Sequence, residues 1–119
     1  MELKIYNVNG TNVTEIISEE VLIHETQDAL DIMADSTYQG SSKIIIHEKN
    51  IVPDFFDLKT GLAGEILQKF STYQVHLAIV GNFDKYSSKS LRDFIYESNK
   101  YGRINFVESV TEAMAKLSR

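Results

Sequence analysis

The chain has 119 residues, 43% of them apolar, with 12 Lys+Arg against 17 Asp+Glu and a formal charge of −5. That is one domain's worth of chain with a core to bury, so residues 1–119 read as a single domain. The acidic balance argues against nucleic acid or an anionic membrane as partner, and the absence of cysteine excludes disulfides, thiolate zinc sites and thiol catalysis.

Leu3-Lys4-Ile5-Tyr6-Asn7-Val8 alternates apolar and polar residues, the pattern of a half-buried strand. Asn9-Gly10 is a strong hairpin signal, and Val13-Thr14-Glu15-Ile16-Ile17 returns as an antiparallel second strand. Val21-Leu22-Ile23 is ambiguous between a helical turn and an approach to the next element. From Thr26 to Tyr38 the period is helical, with Ala29, Leu30, Met33, Ala34 and Thr37 on one face and Asp28, Asp31 and Asp35 on another. An acidic first turn suits the helix dipole, and Gly40 supplies a stop. Lys43-Ile44-Ile45-Ile46-His47 is apolar on both faces, as in a parallel strand buried on both sides.

A loop with Asn50 and Pro53 follows, then a second helix to about Tyr73. Its core stripe is Leu62, Ala63, Ile66, Leu67 and Phe70. Val75 to Val80 is a strand closed by Gly81. Ser87-Ser88 caps a third helix carrying Leu91, Phe94 and Ile95, ended near Gly102. Ile104 to Val107 is the last strand, and Ser109-x-x-Glu112 is a capping box for a final helix with Ala113, Met114 and Leu117. The order β-β-α-β-α-β-α-β-α predicts an α/β fold: a five-stranded mixed, mostly parallel sheet with right-handed crossovers. Ligand-facing loops then lie at the carboxyl ends of the strands: 47–57, 81–88 and 108–109.

Asp57-Leu58-Lys59-Thr60-Gly61-Leu62-Ala63-Gly64 is the most informative segment. Thr60 or Asp57 suits an N-cap. Gly61 and Gly64, three apart, suit close approach of another backbone. The small residues at a helix start also suit an anion, or they are only a helix start with packing glycines. The Gly-x-x-x-x-Gly-Lys-Ser/Thr pattern of a phosphate loop is absent.

The element order and this segment resemble the STAS family, the domain of sulphate transporters and anti-sigma-factor antagonists. In that family the third strand leads into Asp-Ser-Ser-Gly-Leu-Gly at a helix start, and a partner kinase phosphorylates the Ser before the first Gly. Thr60, immediately before Gly61-Leu62, stands where that Ser would be. Asp57 lies three residues before Thr60 rather than two, Lys59 replaces a Ser, and Ala63 intervenes before Gly64. The chain also resembles, over its full length, a bacterial family of short stand-alone proteins known as a domain of unknown function. The block from Ile45-Ile46-His47-Glu48 through Pro53-Asp54-Phe55-Phe56-Asp57-Leu58 to Phe70 carries this resemblance, with Ser88 to Asn99 as a second block.

His47-Glu48 at a strand end, with Asp54, Asp57, Asn82 and Asp84, would line a polar pocket if the loops converge. No His-x-x-x-His or Glu-x-x-His pattern supports a metal, so no metal or other cofactor is expected. No Gly-x-Ser-x-Gly elbow occurs. Arg92 with Lys85 and Lys89 makes a small basic patch, read as ion-paired with Asp93 and Glu97. Phe55-Phe56 is either folded back into the core or offers one ring to a partner.

The expectation is a non-catalytic regulatory module, STAS-like, that binds a protein partner: a kinase-type regulator or another copy of itself. Thr60 is the phospho-switch candidate, and His47, Phe55, Phe56, Asp57, Lys59, Gly61, Gly64 and Asn82 are the interaction-loop candidates. The alternative is a small enzyme or small-ligand binder using the same loops around His47, Asp57, Thr60 and Asn82. No apolar run approaches the ~18 residues of a membrane span, and Met1-Glu2-Leu3-Lys4 does not open a signal peptide, so a cytoplasmic location is expected. Crossovers of one hand place helices on one face of the sheet, so the last helix or a second chain must cover the other; a homodimer is expected on that ground.

Overall fold

Asn9 and Gly10 take φ of 53° and 84°. Two positive values in succession make the two-residue turn whose twist matches the flanking strands. It joins β1 (Glu2–Val8) to β2 (Thr11–Ile17) in antiparallel register, Leu3 opposite Ile16 and Tyr6 opposite Val13. The computed structural model describes residues 1–119. β3 (Lys43–His47), β4 (His76–Val80) and β5 (Ile104–Val107) then pair in parallel, giving one five-stranded sheet in the order β1-β2-β3-β4-β5. The helices are α1 (Thr26–Tyr38), α2 (Leu62–Thr72), α3 (Lys89–Tyr101) and α4 (Val110–Leu117). No helix is long and apolar enough to cross a membrane.

The strands predicted to be central are so. Ile44, Ile45, Ile46, Ile79 and Ile104 are fully buried, and Leu77 and Phe106 nearly so. Alternation along each strand sorts them. Ile16, Ile44, Ile46, Leu77, Ile79, Ile104 and Phe106 face one layer with Ala29, Ile66, Phe70 and Leu91 from α1, α2 and α3. Val13, Ile45, Ala78 and Val107 face the other, under Ala113 and Leu117 of α4. The three crossover helices therefore share one face, as their common hand requires. The last helix covers the other face, so the need for a second chain as its cover falls away.

The caps follow their sequence signals. Ser88 Oγ accepts from the Leu91 N–H at 3.2 Å, and Ser109 Oγ from the Glu112 N–H at 3.1 Å. α3 stops at Gly102, with φ 81°. The face of α1 differs from its predicted phase. Ala29, Ile32, Met33 and Ser36 are the buried residues, while Ala34 and Thr37 line an open groove of about 590 Å³ with Leu30, Tyr38 and Tyr73. A polar residue turns the helix. Ser36 donates to the Ser41 carbonyl (2.9 Å) and pairs with the Thr14 hydroxyl (2.8 Å), so its burial leaves nothing unsatisfied. The ambiguous Val21-Leu22-Ile23 proves extended: Ile23 bridges Ile51 in parallel and is 2% exposed.

Candidate functional site

The chain leaves β3 through three 3-10 turns, Glu48–Asn50, Pro53–Phe56 and Leu58–Thr60. These short curls fold the loop back on itself and decide where Phe55 and Phe56 go. Both rings are buried, at 1% and 6% exposure, and they meet edge-on with centroids 5.0 Å apart. Phe56 stacks on Tyr86 at 5.1 Å, which joins this loop to the one after β4. Of the two readings of the aromatic pair, the structure takes the folded-back one, since both rings are buried.

The polar residues of the same loop stay outside. Asp54, Asp57, Lys59, Thr60 and Gly61 are exposed. Asp57 Oδ1 accepts from the Lys59 N–H at 3.2 Å and caps the last turn. Thr60 Oγ1 lies 2.7 Å from the Asp54 carbonyl and 2.9 Å from the Asp57 carbonyl, and accepts from the Leu62 N–H at 3.3 Å. Thr60 therefore sits at the head of α2, as predicted, but the N-cap residue is Gly61, which has no side chain to cap with, so neither Thr60 nor Asp57 takes the N-cap position of α2. Gly61 has φ 80°, where a side chain would be strained, and this is its reason for being glycine. The close-approach reading of Gly61 and Gly64 is not met. No foreign atom lies within 4 Å of a Cβ built on either one, because their side of α2 faces away from the sheet.

His47 and Asn82 do not join Thr60. His47 projects to the α4 face, where its Nε2 lies 2.9 Å from Glu15 Oε2, and Glu15 also accepts from the Tyr6 hydroxyl at 3.1 Å. Asn82 Oδ1 accepts from the Asp84 N–H at 3.1 Å and so shapes its own turn. No three His, Asp or Glu side chains gather where they could share a metal. The predicted polar pocket is thus divided: strand alternation sends His47 to one face, while the 3-10 turns carry Asp54 and Asp57 to the rim.

Two connections were missed by sequence reasoning, although of the predicted pocket residues Glu48 and Asn82 do meet. Asn50, fully buried, donates from Nδ2 to the Ser18 and Glu20 carbonyls, each at 2.8 Å. It ties the β3–α2 loop to the segment after β2. Glu48 ties the same loop to the one after β4. Its Oε2 accepts from the Tyr86 hydroxyl and pairs with Lys85 at 2.9 Å, and its Oε1 accepts from the Asn82 N–H at 3.3 Å. Lys85 therefore leaves the predicted basic patch, while Lys89 pairs with Asp93 at 2.7 Å as expected. Burial first, then the bond to Glu48 and its charge, hold the Tyr86 phenol well above its usual range. A cleft of about 330 Å³ opens beside these groups, lined by Val21, Glu48, Lys49, Phe56, Lys85 and Tyr86 among others. No sequence pattern announces these links, since each partner lies 30 or more residues away.

Residues 8–117 match a family described as a domain of unknown function, DUF4180. No curated protein matches the chain. Among solved structures the fold is similar to that of a Thermotoga maritima protein, provisionally named an anti-sigma factor antagonist. The TM-score is 0.53, with 16% identity over 98% of this chain and 95% of that one. At that identity the likeness is one of fold, and it bears out the STAS-like arrangement of sheet and helices.

Proposed function

The chain belongs to the DUF4180 family and has a STAS-like fold, and from that premise we propose that it is a non-catalytic regulatory module that binds a protein partner through the loop between β3 and α2. The observation that carries this reading is the state of that loop. Phe55 and Phe56 anchor it from below, while Asp57, Lys59 and Thr60 form an exposed polar rim at the head of α2. A rim held by buried rings is pre-organised, which lowers the ordering cost of binding. The polar groups nearby bond to one another rather than converge on an open space, which favours recognition over chemistry.

Thr60 is the switch in this reading. A phosphate there would gain from the α2 dipole and from the free N–H groups of its first turn. It would also take the hydroxyl proton that now serves the Asp54 and Asp57 carbonyls. The last 3-10 turn would therefore rearrange on modification, changing the surface a partner reads. The test is quantitative affinity capture from native lysate with wild type, Thr60→Glu, Lys59→Glu and Gly64→Ala. A partner held by wild type and Gly64→Ala but lost with Thr60→Glu and Lys59→Glu is the expected result. Equal capture by all four would overturn the loop as the binding surface.

A further inference from the structure

At the opposite end of the sheet from these loops, the last turns of α2 and α3 flank a groove of about 440 Å³. That lies within the ~300–1,000 Å³ that small-molecule sites occupy. α2 contributes Leu67 and Ser71, one turn apart, and α3 contributes Phe94, Glu97 and Ser98, which the helical period puts on one face. Arg103 and Ile104 close the groove from the start of β5. Leu67, Phe94 and Ile104 belong to the main core or pack against it, and they give the groove an apolar floor.

The polar groups around that floor lack partners. Ser98 is 5% exposed, and its hydroxyl makes no hydrogen bond within the protein. His76 Nδ1 is the one fully buried side-chain polar atom left unpaired, so the Ser98 oxygen opens into the groove that it lines. Arg103 uses Nη1 on the Val75 carbonyl at 3.4 Å, which leaves most of its five N–H donors free. The five ion pairs of the protein include neither Arg103 nor Glu97, although both line this groove. Two opposite charges in one groove, held too far apart to pair with each other, suit a ligand that carries both. The helix ends favour the same division. Ser71 and Ser98 lie in the last turns of α2 and α3, where the dipole favours a positive charge. The basic residues of those turns, Lys69 and Lys100, are not in the groove.

We propose that the groove between α2 and α3 binds a free α-amino acid with an apolar side chain. The ligand carboxylate takes the Arg103 guanidinium and the Ser98 hydroxyl, and such charge-assisted bonds are the strong ones. Its ammonium faces Glu97 and the helix ends. Its side chain lies on Leu67, Phe94 and Ile104, where burial of apolar surface supplies affinity while the charged ends fix orientation. A zwitterion is neutral overall, so the −5 charge of the protein does not repel it. An acid without the amine would set its anion beside an unpaired Glu97, and an amine without the acid would leave Arg103 and Ser98 unfilled. The reading of the β3–α2 loop does not enter, so either can fail alone.

The test is NMR of the full chain at constant pH and ionic strength, titrated with L-leucine and L-phenylalanine. Each is compared with its analogues lacking one charged end: 4-methylpentanoate and 3-methylbutylamine for leucine, 3-phenylpropanoate and phenethylamine for phenylalanine. Saturable amide shifts at Ser98, Arg103 and Ile104 are expected with the amino acid whose side chain fits, and its two analogues should bind about tenfold more weakly or worse. Arg103→Gln should weaken the amino acid by about tenfold. Ser98→Ala should weaken it by about threefold, without lowering the urea midpoint, because no internal hydrogen bond goes with the hydroxyl. Lys89→Met, at the head of α3, should leave binding unchanged. A linear response to both amino acids, shifts centred elsewhere, an analogue as tight as its parent, or unchanged affinity in Arg103→Gln would overturn the site. The analogue comparison is read on wild type, so it decides the matter even if a variant folds poorly.

Discussion

Glu48 crosses Gly81 so closely that a Cβ built on the glycine would lie 2.5 Å from Glu48 Oε1 and 2.7 Å from Glu48 Cβ. Gly81, the residue after β4, is thus the passage through which the β3 loop reaches the β4 loop. Gly81→Ala must push Glu48 off Asn82, Lys85 and Tyr86. A cost of about 1–3 kcal/mol is expected, the usual range for overpacking. Gly64→Ala is the contrasting case: its Cβ meets nothing within 4 Å, inside α2. There alanine should stabilise by about 0.5–1 kcal/mol, through backbone entropy. Urea denaturation of both variants checks the pair. A Gly81→Ala midpoint equal to wild type would show that Glu48 moves aside freely and ties nothing.

Tyr86 carries a pH prediction. Its folded-state pKa is raised above the ordinary 10.0 by burial, then by the Glu48 bond and charge. As pH rises past that value the unfolded phenol ionises first, so the native state holds the extra proton. The stabilising contribution is complete below pH ~10 and is lost as pH climbs toward the folded value. One of the six tyrosines should therefore resist spectroscopic titration until the chain unfolds. Tyr86→Phe should remove that part of the alkaline slope and cost about 1–2 kcal/mol at neutral pH, by taking a donor from Glu48. An unchanged alkaline slope in Tyr86→Phe would locate the effect elsewhere.

Glu15 is 8% exposed on the α4 face and depends on two donors, the Tyr6 hydroxyl and His47. His47→Ala leaves a nearly buried carboxylate with one of them. A loss of about 1–3 kcal/mol is expected from that half-emptied shell. A double-mutant cycle with Glu15→Gln should return a coupling above about 0.5 kcal/mol. Strict additivity of the two single changes would mean that the contact contributes nothing to stability.

The elements were legible because their signals are local. Three isoleucines in a row, a hairpin dipeptide and Ser at two helix starts need no distant partner to be read. The site was legible only where it stayed local too: Thr60 before Gly61 holds the predicted position. Where distant segments decide, the sequence is silent. The phase of α1 depends on Ser36 meeting Thr14, 22 residues away. Asn50 reads as a loop marker, yet it is buried because two carbonyls 30 and 32 residues earlier need its amide. The pair Phe55-Phe56 looks too crowded for one core, and only the 3-10 turn lets both rings enter.

α4 covers the second face of the sheet. Ala113 is fully buried and Leu117 nearly so, over Val13, Ile45, Ala78 and Val107. α4 has eight residues, too few to hold together without packing. Ala113→Asp places an unpaired charge in that seam, which burial makes costly, so the helix should detach and leave the sheet face bare. Other molecules then become its cover, since an exposed apolar patch of that kind promotes association. Sedimentation should show the variant growing in mass with concentration while its circular dichroism keeps the strand signal. A wild type that sediments as a dimer at tens of micromolar would use a different surface, and its dimer would survive Ala113→Asp. A variant with unchanged mass at every concentration would show that this face does not drive association even when uncovered.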